Sequence, residues 1–147
     1  MSKRASVLHL AEPPSAYLFR PALVVDCSVL SAVLFEEQTR DDALRLLTGK
    51  SLHAPSLLDY EIVSVAIKKG RGGWPEAAIA LALADYMQQE IDLHRTDAET
   101  QYQLALRYRL SAYDAAYLWL AAELKAPLAT FNETLASAAR AHLATLP

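Results

Sequence analysis

The sequence predicts an α/β fold in which helices cover both faces of a short, mainly parallel central sheet. Three observations support this three-layer α/β/α sandwich. Short apolar segments with the pattern of buried strands alternate with longer segments of helical periodicity. Alanine and leucine are the dominant residues, which favours helices and leaves little chain for strands. A chain of 147 residues with 53% apolar content is the size of one domain with a substantial core.

The strands are predicted from continuous apolar segments. The first is residues 22–25, which has the pattern of a strand buried on both of its faces. Further short strands are expected at 51–54, 91–94 and 128–130. Helices are expected between and after these strands, at residues 28–35, 39–49, 56–69, 75–90, 96–109, from 111 through an uncharged middle at 115–122, and 132–142.

Capping signals mark where several helices begin. Thr39, Ser56, Thr96 and Ser111 each stand three residues before an acidic side chain, which is the spacing of a capping box. In the Ser56 signal we interpret the acidic residue, Asp59, as part of the cap and not as a chemical group. Each signal therefore predicts a helix N-terminus at its hydroxyl residue.

The remaining composition limits the cellular setting. Residues 1–21 contain several prolines, and we interpret them as an N-terminal extension before a single domain at 22–147. Cys27 is the single cysteine, which excludes an internal disulfide and a cysteine-rich zinc site. The chain has no apolar run of ~18 residues that could span a membrane, and we expect a reducing cytoplasmic location. The net charge is −3, so the chain as a whole does not attract the phosphates of a nucleic acid, and any such binding needs a local basic cluster.

Four polar residues fall where parallel strands end. Asp26 follows the first strand, and Glu61 lies one turn into the helix after the second. Asp114 is in the first turn of the uncharged helix, and Asn132 follows the last strand. Because the carboxyl ends of parallel strands meet at one edge of a sheet, we expect these side chains to lie together.

Their surroundings indicate a metal site. Glu61 and Asp114 lie on helix faces that otherwise carry apolar residues and no Lys or Arg. Carboxylates held there are costly unless they are paired or bind a cation. A set of oxygen ligands without His or Cys favours Mg²⁺ or Mn²⁺ over zinc.

Each residue also has a structural explanation that leaves chemistry out. Asp114 has the spacing of a capping partner for Ser111, and Asn132 is a common N-cap residue. Glu61 at a half-exposed position would be solvated, and Asp26 at a strand end would satisfy a turn. The prediction of a metal site depends on the joint occurrence of the four residues.

The segments around these residues resemble the sequence motifs of PIN domains. Residues 24–30 resemble the opening strand with its first acidic ligand, and residues 54–61 resemble the second motif with Glu61 as its acid. Residues 110–118 resemble the third and most distinctive motif, and residues 128–135 resemble the fourth. The order and spacing agree from residue 23 to about 142, roughly four-fifths of the chain. Within this family the pattern is most similar to VapC-type toxins of bacterial toxin–antitoxin pairs.

The resemblance implies a metal-dependent endoribonuclease that hydrolyses RNA phosphodiester bonds. Asp26, Glu61 and Asp114 would hold Mg²⁺ or Mn²⁺, with Asn132 as a weaker ligand and Ser28 and Thr130 in support. The resemblance also implies a small cognate VapB-like antitoxin and a homodimer. We expect RNA to bind at the basic cluster of Lys68, Lys69 and Arg71. The cluster has an equally good structural explanation, because positive side chains at the C-terminal end of a helix are stabilised by the helix dipole.

The chain departs from the family pattern at two places. Asn132 stands where the family usually has Asp, and an extension precedes the first strand. The first departure leaves an alternative open, a catalytically weakened PIN-like domain with a binding or regulatory role. A phosphatase of the haloacid dehalogenase kind is disfavoured, because that family needs a second Asp at the position of Ser28.

Overall fold

The computed structural model of the chain describes residues 9, 11 and 19–147. The predicted extension at 1–21 lies mostly outside the described residues and stays a prediction. The described part contains strands that alternate with helices in the order expected of an α/β fold. They are β1 (Ala22–Val25), α1 (Cys27–Leu34), α2 (Arg40–Leu47), β2 (Ser51–Pro55), α3 (Leu58–Arg71), α4 (Glu76–Gln88), β3 (Ile91–His94), α5 (Ala98–Tyr108), α6 (Ala112–Leu124), β4 (Leu128–Ala129) and α7 (Glu133–Leu143).

The four strands form one sheet in the order β3-β2-β1-β4, and every pairing is parallel. The central strand β1 pairs Leu23 with Leu52 of β2 and Val25 with Ala129 of β4. All carboxyl ends therefore lie at one edge of the sheet, as the sequence predicts. The three-layer α/β/α fold class is confirmed.

The helices pack in two groups around the sheet. Helix α6 packs against β1, β2 and β4 and against α5 and α7, whereas α1 packs against α2, α3 and α4. Residues 23–25 of β1 are 0–2% exposed. The middle of α6, including Tyr117 and Leu118, is equally buried. The continuous apolar patterns of these two elements thus correspond to the centre of the core. Among the described residues, no helix is long and apolar enough to cross a bilayer.

Several predicted caps differ from the observed ones. Thr39 is the residue before α2, but its side chain makes no capping hydrogen bond. The prediction for Ser56 was wrong: α3 begins after Leu57, and the Ser56 hydroxyl donates to the backbone oxygen of His94 on β3. The prediction for Thr96 was wrong by one residue, since the carboxylate of Asp97 caps α5. Both hydroxyls have another partner, since that of Thr96 donates to Oε1 of Gln101, and Leu57 at the start of α3 makes no side-chain capping hydrogen bond.

Asp59 does not act as a cap. Its carboxylate accepts a hydrogen bond of 2.6 Å from the hydroxyl of Tyr86 on α4. Asp59 therefore joins α3 to α4, and our interpretation of it as part of a capping box was wrong.

Candidate active site

Asp26 occupies the junction between β1 and α1. Its side chain is 6% exposed, and Oδ1 accepts hydrogen bonds from the hydroxyl of Ser28 at 2.6 Å and the amide of Val29 at 3.2 Å. Oδ2 accepts one from the hydroxyl of Thr130 at 2.5 Å. Burial raises the pKa of the Asp26 carboxyl above its ordinary value, although these hydrogen bonds act in the opposite direction. Asp26 thus caps α1 and holds a buried charge at the sheet edge.

Glu61 lies in the first turn of α3, half-buried beside the sheet edge. The hydroxyl of Tyr117 on α6 donates to its Oε1 at 2.6 Å. Burial raises the pKa of Glu61, and the negative charges of Asp26 and Asp114 raise it further, against the effect of the hydrogen bond. Glu61 therefore lies within electrostatic reach of both other carboxylates.

Asp114 and Asn132 face each other from the N-termini of α6 and α7. The backbone amide of Asp114 donates to the hydroxyl of Ser111 at 3.1 Å, which caps α6 as predicted. Its carboxylate accepts a 3.4 Å hydrogen bond from Nδ2 of Asn132. Burial and the charge of Asp26 raise the pKa of Asp114.

The amide oxygen of Asn132 has another role. It accepts hydrogen bonds from the amides of Thr134 at 2.9 Å and Leu135 at 3.2 Å and so caps α7. Asn132 therefore turns a donor toward Asp114, while its oxygen serves the helix. Its expected role as a weaker metal ligand stays a prediction.

Two hydroxyls connect Asp26 to the loop after β4. Ser28 Oγ accepts a hydrogen bond of 2.9 Å from the amide of Phe131, and Thr130 Oγ1 accepts one of 2.9 Å from the amide of Asn132. Since both hydroxyls also donate to Asp26, they fix the carboxylate relative to this loop. This geometry is consistent with the supporting positions expected for them.

The three carboxylates form an uncompensated negative cluster. Between residues 19 and 147, no Lys or Arg forms an ion pair with any of them. Within the part of the chain that the structure describes, no three Asp, Glu, His or Cys side chains converge closely enough to form a ready metal cage. The structure thus brings the predicted acids to one edge, but their side chains are held by hydrogen bonds to neighbouring protein groups.

The basic cluster is divided between two environments. Lys68, Lys69 and Arg71 lie in the last turns of α3, which continues through Gly70, and not on a flexible segment after the helix. The Lys69 ammonium is 3.4 Å from the Glu37 carboxylate. It also lies 6.0 Å from the ring centroid of Phe35 and 5.9 Å from that of Trp74. Lys68 is exposed and lines a cleft that also contains Glu61. Of the three, Lys68 is the one that faces the acidic edge.

Sequence reasoning missed the contact that fixes Glu61. Tyr117 was interpreted as part of an apolar face, although it lies three residues after Asp114 and its hydroxyl needs a partner when buried. Sequence reasoning also did not predict that Nδ1 of His53 and Nε2 of His94 lie 2.9 Å apart on neighbouring strands. Neither imidazole is hydrogen-bonded to the three carboxylates.

Comparison with known proteins shows the family of the chain. The family model described as "PIN domain" matches residues 23–141, and the chain belongs to the PIN domain family. The chain is 27% identical over 120 residues to Ribonuclease VapC3 of Pyrobaculum aerophilum, covering 78% of this chain and 92% of that protein.

Two solved structures share the fold. One is PAE2754 from Pyrobaculum aerophilum, with a TM-score of 0.65, 21% identity and coverage of 84% of this chain and 88% of that one. The other is Mycobacterium tuberculosis VapC20, described as a toxin that cleaves the sarcin-ricin loop, with a TM-score of 0.58, 17% identity and coverage of 79% and 94%.

Proposed function

We propose that this chain is a metal-dependent endoribonuclease and the toxin component of a VapBC-type toxin–antitoxin pair. The observation that carries the proposal is the cluster of Asp26, Glu61 and Asp114 at the carboxyl edge of the sheet, uncompensated by Lys or Arg within residues 19–147. The cluster occurs in a member of the PIN domain family, and a relative that spans most of the chain is named as a ribonuclease.

The donor set fits a hard divalent cation such as Mg²⁺ or Mn²⁺. It consists of carboxylate oxygens, and each of the three carboxylates has a raised pKa because its charge is partly removed from water. Like charges held this close are stabilised by a cation between them. When bound, the cation would lower the pKa of a coordinated water and neutralise charge on the scissile phosphate.

The protein groups have distinct positions around this charge. Ser28, Thr130 and the Val29 amide hold Asp26, and the Tyr117 hydroxyl orients Glu61. The Nδ2 group of Asn132 holds Asp114. Because these donors come from α1, α6 and the loop after β4, the carboxylates keep their positions without a covalent or ionic link.

The test is RNA cleavage in magnesium buffer by charge-neutral variants. Asp26→Asn, Glu61→Gln and Asp114→Asn each remove one negative charge with little change in shape, and each is expected to lower cleavage by at least 100-fold, about 2.7 kcal/mol in the activation barrier. Asp97→Asn is the matched control, because Asp97 caps α5 through the amide of Thr100 without belonging to the cluster. Full activity in the three cluster variants, with the control behaving alike, would refute the proposal.

A small antitoxin and a second copy of the chain are the proposed protein partners. An apolar groove of about 390 Å³ between α3 and α4 is lined by Val63, Ile67, Ile79 and Leu83, and the first two are each 50% exposed. Exposed aliphatic surface of this kind favours protein contacts. Light scattering of the purified chain should report a dimer, and addition of a candidate small antitoxin encoded beside its gene should give a larger complex. A monomer that ignores that antitoxin contradicts this part of the proposal.

Asn132 supports a second candidate, a PIN domain with weakened metal binding that acts mainly through partners. Its oxygen caps α7 and its nitrogen faces Asp114. At the position where the family usually has an acidic metal ligand, this chain therefore presents a hydrogen-bond donor to the site. Magnesium titration by calorimetry alongside the cleavage assay separates the two candidates. Measurable RNA cleavage that depends on Mg²⁺ favours the first, and partner binding without cleavage favours the second.

A further inference from the structure

Exposed aromatic side chains precede three of the four residues at the acidic edge. Tyr60 comes directly before Glu61 and is 80% exposed, and Tyr113 comes directly before Asp114 and is 63% exposed. Phe131, before Asn132, is 45% exposed. Consecutive residues on a helix point about 100° apart, which allows the acid to face the site while its neighbour faces solvent. No hydrogen bond or core contact within the described residues accounts for the two tyrosines.

Tyr60 and Tyr113 line one cleft although they belong to different helices. The cleft has a volume of about 630 Å³, with Leu57 and Val65 as apolar lining and Lys68 along one side. Glu61 also lines it, so the cleft contains one of the three carboxylates of the acidic cluster. Its size lies in the range of clefts that hold a nucleotide-sized ligand.

We propose that Tyr60 and Tyr113 form a stacking platform that binds unpaired bases of the RNA beside the cleavage site. The proposal rests on the proposed ribonuclease function. Aromatic rings stack on any base, whereas the bases of a duplex are already stacked on each other and are not free to enter. Lys68 on the same cleft would contact a backbone phosphate.

The lining of the cleft favours RNA over a protein partner. The neighbouring groove between α3 and α4 is lined mainly by aliphatic side chains. The cleft at Glu61 instead combines two tyrosines, a lysine and a carboxylate of the proposed cleavage site. Flat aromatic faces combined with a cation are the groups that bind single-stranded nucleic acid.

The experiment measures binding of a fluorescent 12-nucleotide single-stranded RNA by anisotropy in magnesium buffer. Every variant carries Asp26→Asn so that the probe stays intact. Tyr60→Ala and Tyr113→Ala are each expected to weaken binding about 5- to 100-fold, the range for loss of one stacked base. Tyr60→Phe and Tyr113→Phe keep the ring and should bind like the parent. Tyr102→Ala is the matched control, because Tyr102 on α5 is 64% exposed and lies outside the cleft.

A second probe, the same RNA annealed to its complement, tests whether the two tyrosines bind bases that are unpaired. The parent should bind the single strand more tightly than the duplex, and the alanine variants should lose most of this difference. The platform is overturned if the alanine variants bind RNA as the parent does, or if Tyr102→Ala loses as much affinity as they do. It is also overturned if the phenylalanine variants lose RNA binding, or if the parent binds the duplex and the single strand equally well. Loss of antitoxin binding in Tyr60→Ala and Tyr113→Ala without loss of RNA binding assigns the surface to a protein and also overturns it.

Failure of the platform is distinguishable from failure of the ribonuclease proposal. The latter is decided by the cleavage assay on Asp26→Asn, Glu61→Gln and Asp114→Asn with both tyrosines intact. If cleavage requires the three carboxylates but RNA binding does not change without the two tyrosines, the ribonuclease proposal stands and the stacking platform is overturned. Circular dichroism of each variant confirms that the fold is present in all samples.

Discussion

Replacing Asn132 by Asp tests whether the acidic cluster is organised around a cation. Nδ2 of Asn132 lies 3.4 Å from Oδ2 of Asp114 as a hydrogen-bond donor. In the variant a negatively charged oxygen takes its place. Two unit charges at this separation repel by about 1 kcal/mol in bulk water and by about 5 kcal/mol at an effective dielectric constant of 20.

The lower part of this range applies to the Asn132→Asp variant. Asn132 is exposed and Asp114 is half-exposed, so solvent screens the pair, and we expect a loss of about 1–2 kcal/mol in metal-free buffer. For a chain of this size that corresponds to roughly 3–6 °C in Tm. Asp and Asn are equally good N-caps, so the cap of α7 should contribute little to the difference.

Magnesium should reverse the sign of the effect. The added carboxylate contributes both a negative charge and an oxygen that can bind the cation. When Mg²⁺ relieves the repulsion of about 1–2 kcal/mol, the affinity of the variant for Mg²⁺ should be roughly tenfold higher than that of the wild type. The assay is thermal unfolding across a Mg²⁺ titration. The control is Asn132→Ser, which keeps a capping oxygen and removes Nδ2 without adding charge. If Asn132→Asp and Asn132→Ser respond to Mg²⁺ alike, the electrostatic reasoning is refuted.

Three further predictions concern the groups that hold the site and one group remote from it. Tyr117→Phe and Tyr86→Phe each remove a 2.6 Å hydroxyl–carboxylate hydrogen bond, to Glu61 and to Asp59 respectively. Both should lower the free energy of urea unfolding by about 1–3 kcal/mol, but only Tyr117→Phe should slow RNA cleavage; equal cleavage rates in the two variants would contradict the assigned role. Thr130→Val keeps the shape and removes the hydroxyl that joins Asp26 to the Asn132 amide. It should cost about 1–3 kcal/mol in urea unfolding and reduce cleavage, and a silent substitution in both assays would show that the link is dispensable. Burial and the nearby charge of Arg107 lower the pKa of His142 below 6.5. The unfolded chain therefore takes up a proton at this site before the folded one does, so this contribution to stability is complete above pH 6.5 and is lost as the pH falls through the folded pKa. The unfolding free energy of the wild type should fall relative to that of His142→Gln between pH 6.5 and 5, and parallel pH profiles would rule this out.

The sheet and the acidic edge could be predicted from the sequence because both depend on strong patterns. The apolar segments at β1 and α6 are long enough to identify the core. Once the strands are parallel, the residues that follow them must share an edge. Asp26 and Glu61 follow β1 and β2 and therefore reach one edge for a topological reason. Asp114 comes after α5 and reaches the same edge at the N-terminus of α6.

The local details depended on partners that are distant in sequence. Ser56 has the spacing of a capping box, but its hydroxyl donates to His94 on a strand that lies 38 residues later. Asp59 bonds Tyr86, 27 residues away. Such tertiary contacts override local capping rules, since one hydroxyl or carboxylate has only a few hydrogen bonds to give.

The side chains of the site were predictable in place but not in conformation. The sequence indicates that Asn132 is both an N-cap and a neighbour of the acids, but not which end of its amide faces which group. Tyr117 carries the same ambiguity, because its ring belongs to the apolar face of α6 while its hydroxyl belongs to Glu61. For a side chain with both an apolar and a polar part, the burial pattern predicts where the apolar part packs but not which group the polar part bonds.

The hydrogen bond between Thr130 and Asp26 spans 104 residues of sequence and affects when activity can arise during synthesis. The last strand, β4, is two residues long and pairs with β1 directly beside this contact. A nascent chain that ends before residue 128 contains all three carboxylates but lacks the strand and hydroxyl that position the first of them. The candidate nuclease would therefore stay inactive on the ribosome until β4 and Thr130 have been translated. This order of assembly would leave a cell time to supply the proposed antitoxin before the candidate nuclease is complete.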